Sequence, residues 1–180
     1  DVRFLLVRSQ LGKEYTDDIF TFNGIVFECL APGRTRNISK LKKLDILINT
    51  ILQAKKRIAS LNSDKKIDAL ILLEFKFWLL DPFITTAKKE GIMVFHERTE
   101  YPHIWGIGTI SGFIKRTRYL NKTIHRFDGI YVINKALLSY FEKHLEGKIP
   151  LEIVQMTVEP DRFADVPKDP RYDFPYIAFC

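Results

Sequence analysis

A chain of 180 residues that is 46% hydrophobic and 28% charged is long enough to bury a substantial core and too apolar to remain disordered. Its two cysteines, Cys29 and Cys180, are too few for a disulfide framework and lack the spacing of a zinc site, and no apolar run reaches the roughly 20 residues of a membrane span. The formal charge of +6 suits a polyanionic neighbour, whether phosphate, nucleic acid or anionic lipid, without choosing among them.

Strand-like and helix-like segments then alternate along the chain. Val2–Val7 and Ile25–Leu30 are short, rich in Val, Ile, Leu and Phe, and read as strands, with Tyr15–Asn23 between them as a loop or hairpin. Pro32 and Gly33 end the second run. Ser39 caps a helix to about Leu61, with Leu41, Leu44, Leu47, Ile48, Ile51, Leu52 and Ile58 on its apolar face and Lys42, Lys43, Lys55 and Lys56 on the other. The apolar run Ala69–Leu73 reads as a strand buried on both faces. Asp81-Pro82 reads as N-cap and first residue of a helix that closes at Gly91. Ile92–Phe95 is the next strand. A glycine-broken stretch leads to a helix over Ile110–Phe127, then come strand Gly129–Ile133, helix Lys135–Leu145 ending at Gly147, and strand Leu151–Gln155. A Pro- and Asp-rich linker, Glu159–Pro175, precedes a last apolar stretch, Tyr176–Cys180.

Strands separated by single helices predict right-handed crossovers and a parallel sheet. The expected fold is therefore an open Rossmann-like α/β domain with helices on both faces. Ligands of such sheets bind beyond the carboxyl ends of the strands. None of G-x-G-x-x-G, G-x-x-x-x-G-K-S/T, H-E-x-x-H or G-x-S-x-G occurs. His96, His103, His125 and His144 have no ligand spacing with one another or with Cys, so neither metal nor cofactor is expected.

The stretch His96-Glu97-Arg98-Thr99-Glu100-Tyr101-Pro102 follows the predicted strand Ile92–Phe95 directly. It gathers a titratable base, two carboxylates, a guanidinium and two hydroxyls where a crevice would lie, the kind of planar polar groups that hold sugars or a phosphate. The same residues also suit a satisfied turn histidine beside an ordinary surface ion pair. Glu74, with Phe75, Phe77 and Trp78, follows the preceding strand and can wall the crevice, or the rings can simply pack in the core. Asn134 follows the next strand, where it can face a ligand or cap the following helix.

No acidic residue lies between Glu100 and Asp128, whereas Lys115, Arg118, Lys122 and Arg126 form one row at helical spacing. Ile110, Phe113, Ile114, Leu120, Ile124 and Phe127 fall on the opposite side. This basic amphipathic pattern suits anionic lipid headgroups, and equally a core-packing helix with a solvated cationic face. Gly106, Gly108 and Gly112 loosen its leading edge. Nucleic acid is not expected, because the aromatic residues are not interleaved with the cations as stacking platforms.

In this order the features resemble the N-terminal domain of the GT-B glycosyltransferases of family 4. Met93-Val94-Phe95-His96-Glu97 is similar to that family's strand-plus-histidine segment, and Phe127-Asp128-Gly129-Ile130-Tyr131-Val132-Ile133-Asn134 to a strand usually ending in Val-Ser. Ile153 to Phe163 resembles the segment often written V-I-P-N-G-V-D-x-x-x-F, and Pro175 to Cys180 the first strand of the second domain. The resemblance departs where Met156-Thr157 replaces Asn-Gly and Asn134 replaces Ser, and the family's first strand and glycine-rich loop would precede Asp1. It implies an acceptor-side domain over residues 1–158, a linker over 159–175 and, at 176–180, the start of a donor-binding domain with the family's E-x(7)-E carboxylates.

The resemblance further implies retaining transfer of a sugar from a nucleotide-sugar donor, without an essential metal, to a glycan or lipid-linked acceptor of the cell envelope. His96 matches the histidine that reaches the donor sugar, and is the expected catalytic residue. Glu97, Arg98, Glu100 and Tyr101 would help seat the acceptor, with Glu74 and Asn134 at the neighbouring strand ends. Lys115, Arg118, Lys122 and Arg126 match the region that can meet a membrane, so the expected location is cytoplasmic, peripheral on the inner face of the cytoplasmic membrane. A chain without the donor half is expected to be inactive alone. Two rivals remain: a sugar-nucleotide 2-epimerase of the same architecture, and a non-catalytic Rossmann-like module binding an anionic partner.

Overall fold

The computed structural model describes residues 2–6, 19–30, 39–73, 77–102 and 108–155. Strands β1 (Arg3–Leu6) and β3 (Ile25–Cys29) run parallel, and β2 (Ile19–Phe22) returns onto β3 as an antiparallel hairpin, in the order β1-β3-β2. The hairpin turns at Asn23-Gly24, whose φ values of 48° and 77° are the left-handed pair that a two-residue turn between twisted strands requires. Of the two readings of Tyr15–Asn23, the described part is thus a hairpin. Phe27 stacks on Phe4 and Phe20 at centroid distances of 4.9 and 5.0 Å.

Helix α1 (Lys40–Asp64) begins at Ser39, whose hydroxyl accepts the Lys42 N–H at 3.2 Å, as its N-cap chemistry predicts. Arg57 holds α1 to β3 by a two-pronged bond to the Glu28 carboxylate, at 2.7 and 3.1 Å. The second sheet is all-parallel in the order β4-β5-β6-β7: β4 (Ala69–Leu72), β5 (Met93–Arg98), β6 (Gly129–Val132) and β7 (Leu151–Ile153). Its connections are α2 (Phe77–Lys89), α3 (Ile110–Arg118) and α4 (Lys135–Leu145). A parallel sheet flanked by helices is the open Rossmann-like α/β architecture. No helix among the described residues is long and apolar enough to cross a membrane.

The core lies between this sheet and its crossover helices. Val94 and Ile130 from the strands meet Ile84 from α2 and Phe141 from α4 in one cluster. Burial alternates along β5, with Val94, His96 and Arg98 enclosed and Met93 half exposed. The prediction that Ala69–Leu73 is buried on both faces is corrected: Ile71 is 52% and Leu73 54% exposed, while Leu72, on the other face, joins the core. Gly129 is required by packing. A Cβ there would lie 2.8 and 2.9 Å from two ring carbons of Phe95, whose ring is also stacked on Tyr131 at 5.6 Å.

Three departures from the sequence reading bear on the site. Helix α2 begins at Phe77 rather than at Asp81-Pro82. Leu79 and Leu80 are buried at 1% and 0%, which outweighs the one hydrogen bond that Pro82 cannot donate. Strand β5 continues through Arg98 instead of ending at Phe95. The predicted helix over Ile110–Phe127 changes pitch, with a π-helical turn at Tyr119–Thr123 and a 3-10 turn at Ile124–Arg126 after α3. The wider π turn displaces the following side chains by about a quarter turn. Leu120, Ile124 and Phe127 are consequently buried, while Ile110, Phe113 and Ile114 on α3 stay exposed. The predicted linker 159–175 and strand 176–180 lie outside the described residues.

Candidate functional site

The carboxyl edge of the parallel sheet is where α/β folds of this kind bind ligands, and β5 and β6 supply most of the predicted residues. Because β5 is longer than predicted, His96 is not beyond the strand but within it, two residues from its end. The ring has no exposed surface. It stacks on Phe127 at 4.6 Å and lies edge-on to Tyr119 at 5.8 Å, and Tyr119 Oη is 3.1 Å from His96 Nδ1. The expectation of an imidazole open to a donor sugar is therefore corrected: in this conformation no ligand can touch it. The cause is the register of β5, which turns every second side chain from Val94 onward toward the helices.

Arg98 points to the same side and is 2% exposed. Its guanidinium lies 5.6 Å from the centroid of the Tyr119 ring, and Nη2 donates to the Glu100 carbonyl at 2.6 Å. Burial presses this guanidinium below its ordinary pKa, although the neighbouring Tyr119 and Glu100 act against that. Complete burial likewise pushes the Tyr119 phenol well above its ordinary value. Tyr101 is half-buried and meets Tyr140 of α4 edge-on at 5.2 Å. Burial raises Tyr140 as well. The β5 end thus closes over a stack of aromatic rings around one enclosed cation, with only Glu100 exposed among the predicted group Glu97, Arg98, Glu100 and Tyr101.

The other predicted residues are not all brought to this cluster. Glu97, half-buried, alternates onto the opposite face of the sheet, in register with Tyr131. Asn134 caps α4, its Oδ1 accepting the Leu137 N–H at 2.9 Å, so of its two readings the capping one is realised. Its side chain is exposed at the end of β6, one strand over. Glu74 lies outside the described residues. Among the described residues no group of three His, Cys, Asp or Glu side chains could hold a metal ion.

The cationic row is also altered. Arg118 donates to Asp81 at 3.0 Å, and Arg126 donates to the same carboxylate at 2.6 Å and to Thr85 at 2.8 Å. Half the row therefore pins α3 and the turn after it to α2, which interrupts the cationic face the sequence pattern predicts. Ile110 (81%), Phe113 (59%) and Ile114 (58%) are exposed, so of the two readings of the apolar side core packing is not realised over α3.

Sequence reasoning missed Tyr119, Tyr140 and Asp81. Tyr119 and Tyr140 carry no motif, though aromatic residues with a polar tip usually find a partner when buried. Asp81 was read as a helix cap, and only the earlier start of α2 releases its carboxylate for two arginines. No protein-family model matches this chain, and no curated protein matches it either.

Proposed function

We propose that this Rossmann-like unit is the acceptor-side half of a retaining glycosyltransferase acting on a glycan or lipid-linked acceptor at a membrane. The observation that supports this reading is the end of β5: Glu100 and Tyr101 stand at the carboxyl edge of a parallel sheet, next to the enclosed Arg98, which donates to the Glu100 carbonyl. The Glu100 carboxylate and the Tyr101 phenol, just past the end of β5, suit the hydroxyls of a saccharide. His96 is a positioning residue in this reading. Its bond to Tyr119 fixes the ring over which Arg98 lies, and it does not meet the donor itself. The nucleotide-sugar would be held by a partner domain, and Ile110, Phe113 and Ile114, with Lys115 and Lys122, would turn α3 toward the bilayer that carries the acceptor.

The test is transfer by the intact gene product. Incubation with labelled nucleotide sugars and a membrane lipid extract is expected to move label into the lipid or glycan fraction, and Glu100→Gln or Tyr101→Phe is expected to reduce it. Consumption of none of the nucleotide sugars, with no binding of saccharide to this unit, would overturn the proposal.

A further inference from the structure

Helix α1 carries a second apolar stripe on the side turned from the core. Leu41, Leu44, Ile48 and Leu52 follow one another at intervals of three, four and four residues and are 81%, 54%, 49% and 48% exposed, while Thr50, Ala54 and Ile58 bury the other side. Single exposed leucines need no explanation, but four in line over three turns form a continuous apolar ridge. By helical position Lys42 and Lys56 lie along one side of it, Lys40 along the other and Lys55 in line with Leu52, while Lys43 falls on the far face; Asp45 is the single acid along the same stretch. Arg57, the remaining cation there, is committed to Glu28.

The charges decide which partner fits. Packed antiparallel, a second copy would bring the Lys40–Lys43 end of the ridge against the Lys55–Lys56 end, and packed parallel it would bring each cationic end against the same end of its copy. Both arrangements bring like charges together at the ends of the ridge. An anionic lipid surface accepts apolar ridge and lysines alike: the leucines enter the boundary between headgroups and acyl chains, while the lysine stems lie along the apolar surface and carry their ammonium groups up to the phosphates.

We propose that α1 is a membrane-docking helix, inserting Leu41, Leu44, Ile48 and Leu52 into the headgroup layer of an anionic bilayer. This contact is separate from α3 and does not depend on the transferase reading, since any enzyme or binding module with this helix would make it.

The test is co-sedimentation of the protein with phosphatidylcholine vesicles, with and without phosphatidylglycerol. The parent protein is expected to bind only the anionic vesicles, less at high salt because charges beyond a few ångströms are then screened. Leu44→Ser with Ile48→Ser, both half-exposed and outside the core, is expected to bind about tenfold more weakly at unchanged circular dichroism. Lys42→Glu with Lys56→Glu provides a second variant that leaves the apolar residues intact and is expected to lose binding similarly. Absence of binding to anionic vesicles, or unchanged binding by both variants, overturns the proposal. So does loss of binding with Phe113→Ser alone, which would assign the contact to α3. A dimeric parent that becomes monomeric in light scattering with Leu44→Ser and Ile48→Ser would assign the ridge to a second copy instead.

Discussion

Gly129→Ala should destabilise the protein through one identifiable collision. The added Cβ would stand 2.8 and 2.9 Å from Cδ1 and Cε1 of Phe95, far inside ordinary van der Waals contact. The Phe95 ring has little room to retreat, because Tyr131 stacks on it at 5.6 Å and β5 is paired with β6 at this register, Phe95 opposite Gly129. Overpacking of this kind costs about 1–3 kcal/mol. The substitution also stiffens the unfolded chain, which returns about 0.4–1 kcal/mol. The net expectation is a loss of about 0.5–2 kcal/mol, or a fall in melting temperature of a few degrees for a domain of this size. Urea and thermal unfolding would measure it. The decisive control is Phe95→Ala, which removes the colliding ring carbons, so the double variant should lose less than the sum of the two singles. A Gly129→Ala protein as stable as its parent, or strict additivity in the cycle, would refute the packing described for β5 and β6.

His96→Ala is expected to cost about 2–3 kcal/mol of stability, since the ring is fully enclosed and stacked on Phe127, and urea unfolding reads this directly. Asp81→Ala should release Arg118 and Arg126 together, lowering stability by about 1 kcal/mol at low salt and by less at high salt, where partly exposed pairs are screened. Asp128 gives a dependence on pH. Partial burial raises its pKa, but hydrogen bonds from Lys88 and the Val94 N–H outweigh this and hold the carboxyl below its ordinary value. Its stabilisation is therefore complete above the unfolded carboxylate value of about 4 and is lost as the pH falls through the folded one. With a third of the side chain exposed the loss is under about 1 kcal/mol, and Asp128→Asn should flatten that part of the acid-unfolding curve.

The alternation of strands and helices was legible because hydrophobic period and punctuation agree at most places: Ser39 before α1, Asn134 before α4, Gly91 after α2. The candidate site was legible only in part. His96, Glu97 and Arg98 look polar enough to end a strand, yet His96 and Arg98 are enclosed by Tyr119, Phe127 and Tyr140, partners from the following helices that no local pattern announces. The cationic row read as continuous because an ideal helix was assumed through Tyr119. The π turn breaks that geometry, and Asp81, displaced from its expected capping role, takes up two of the four cations. On α1, Leu41, Leu44, Ile48 and Leu52 count as core by period alone, and only their exposure separates a ridge from a buried face.

The measurement bearing most directly on the proposed role of the β5 edge is the kinetic effect of Tyr101→Phe and Glu100→Gln in the intact gene product. The acceptor KM should rise about tenfold or more while the KM for the nucleotide-sugar stays within twofold, because lost hydroxyl and carboxylate contacts fall on the acceptor alone. A change confined to the nucleotide-sugar KM, or no change in either, would contradict an acceptor seat at Glu100 and Tyr101.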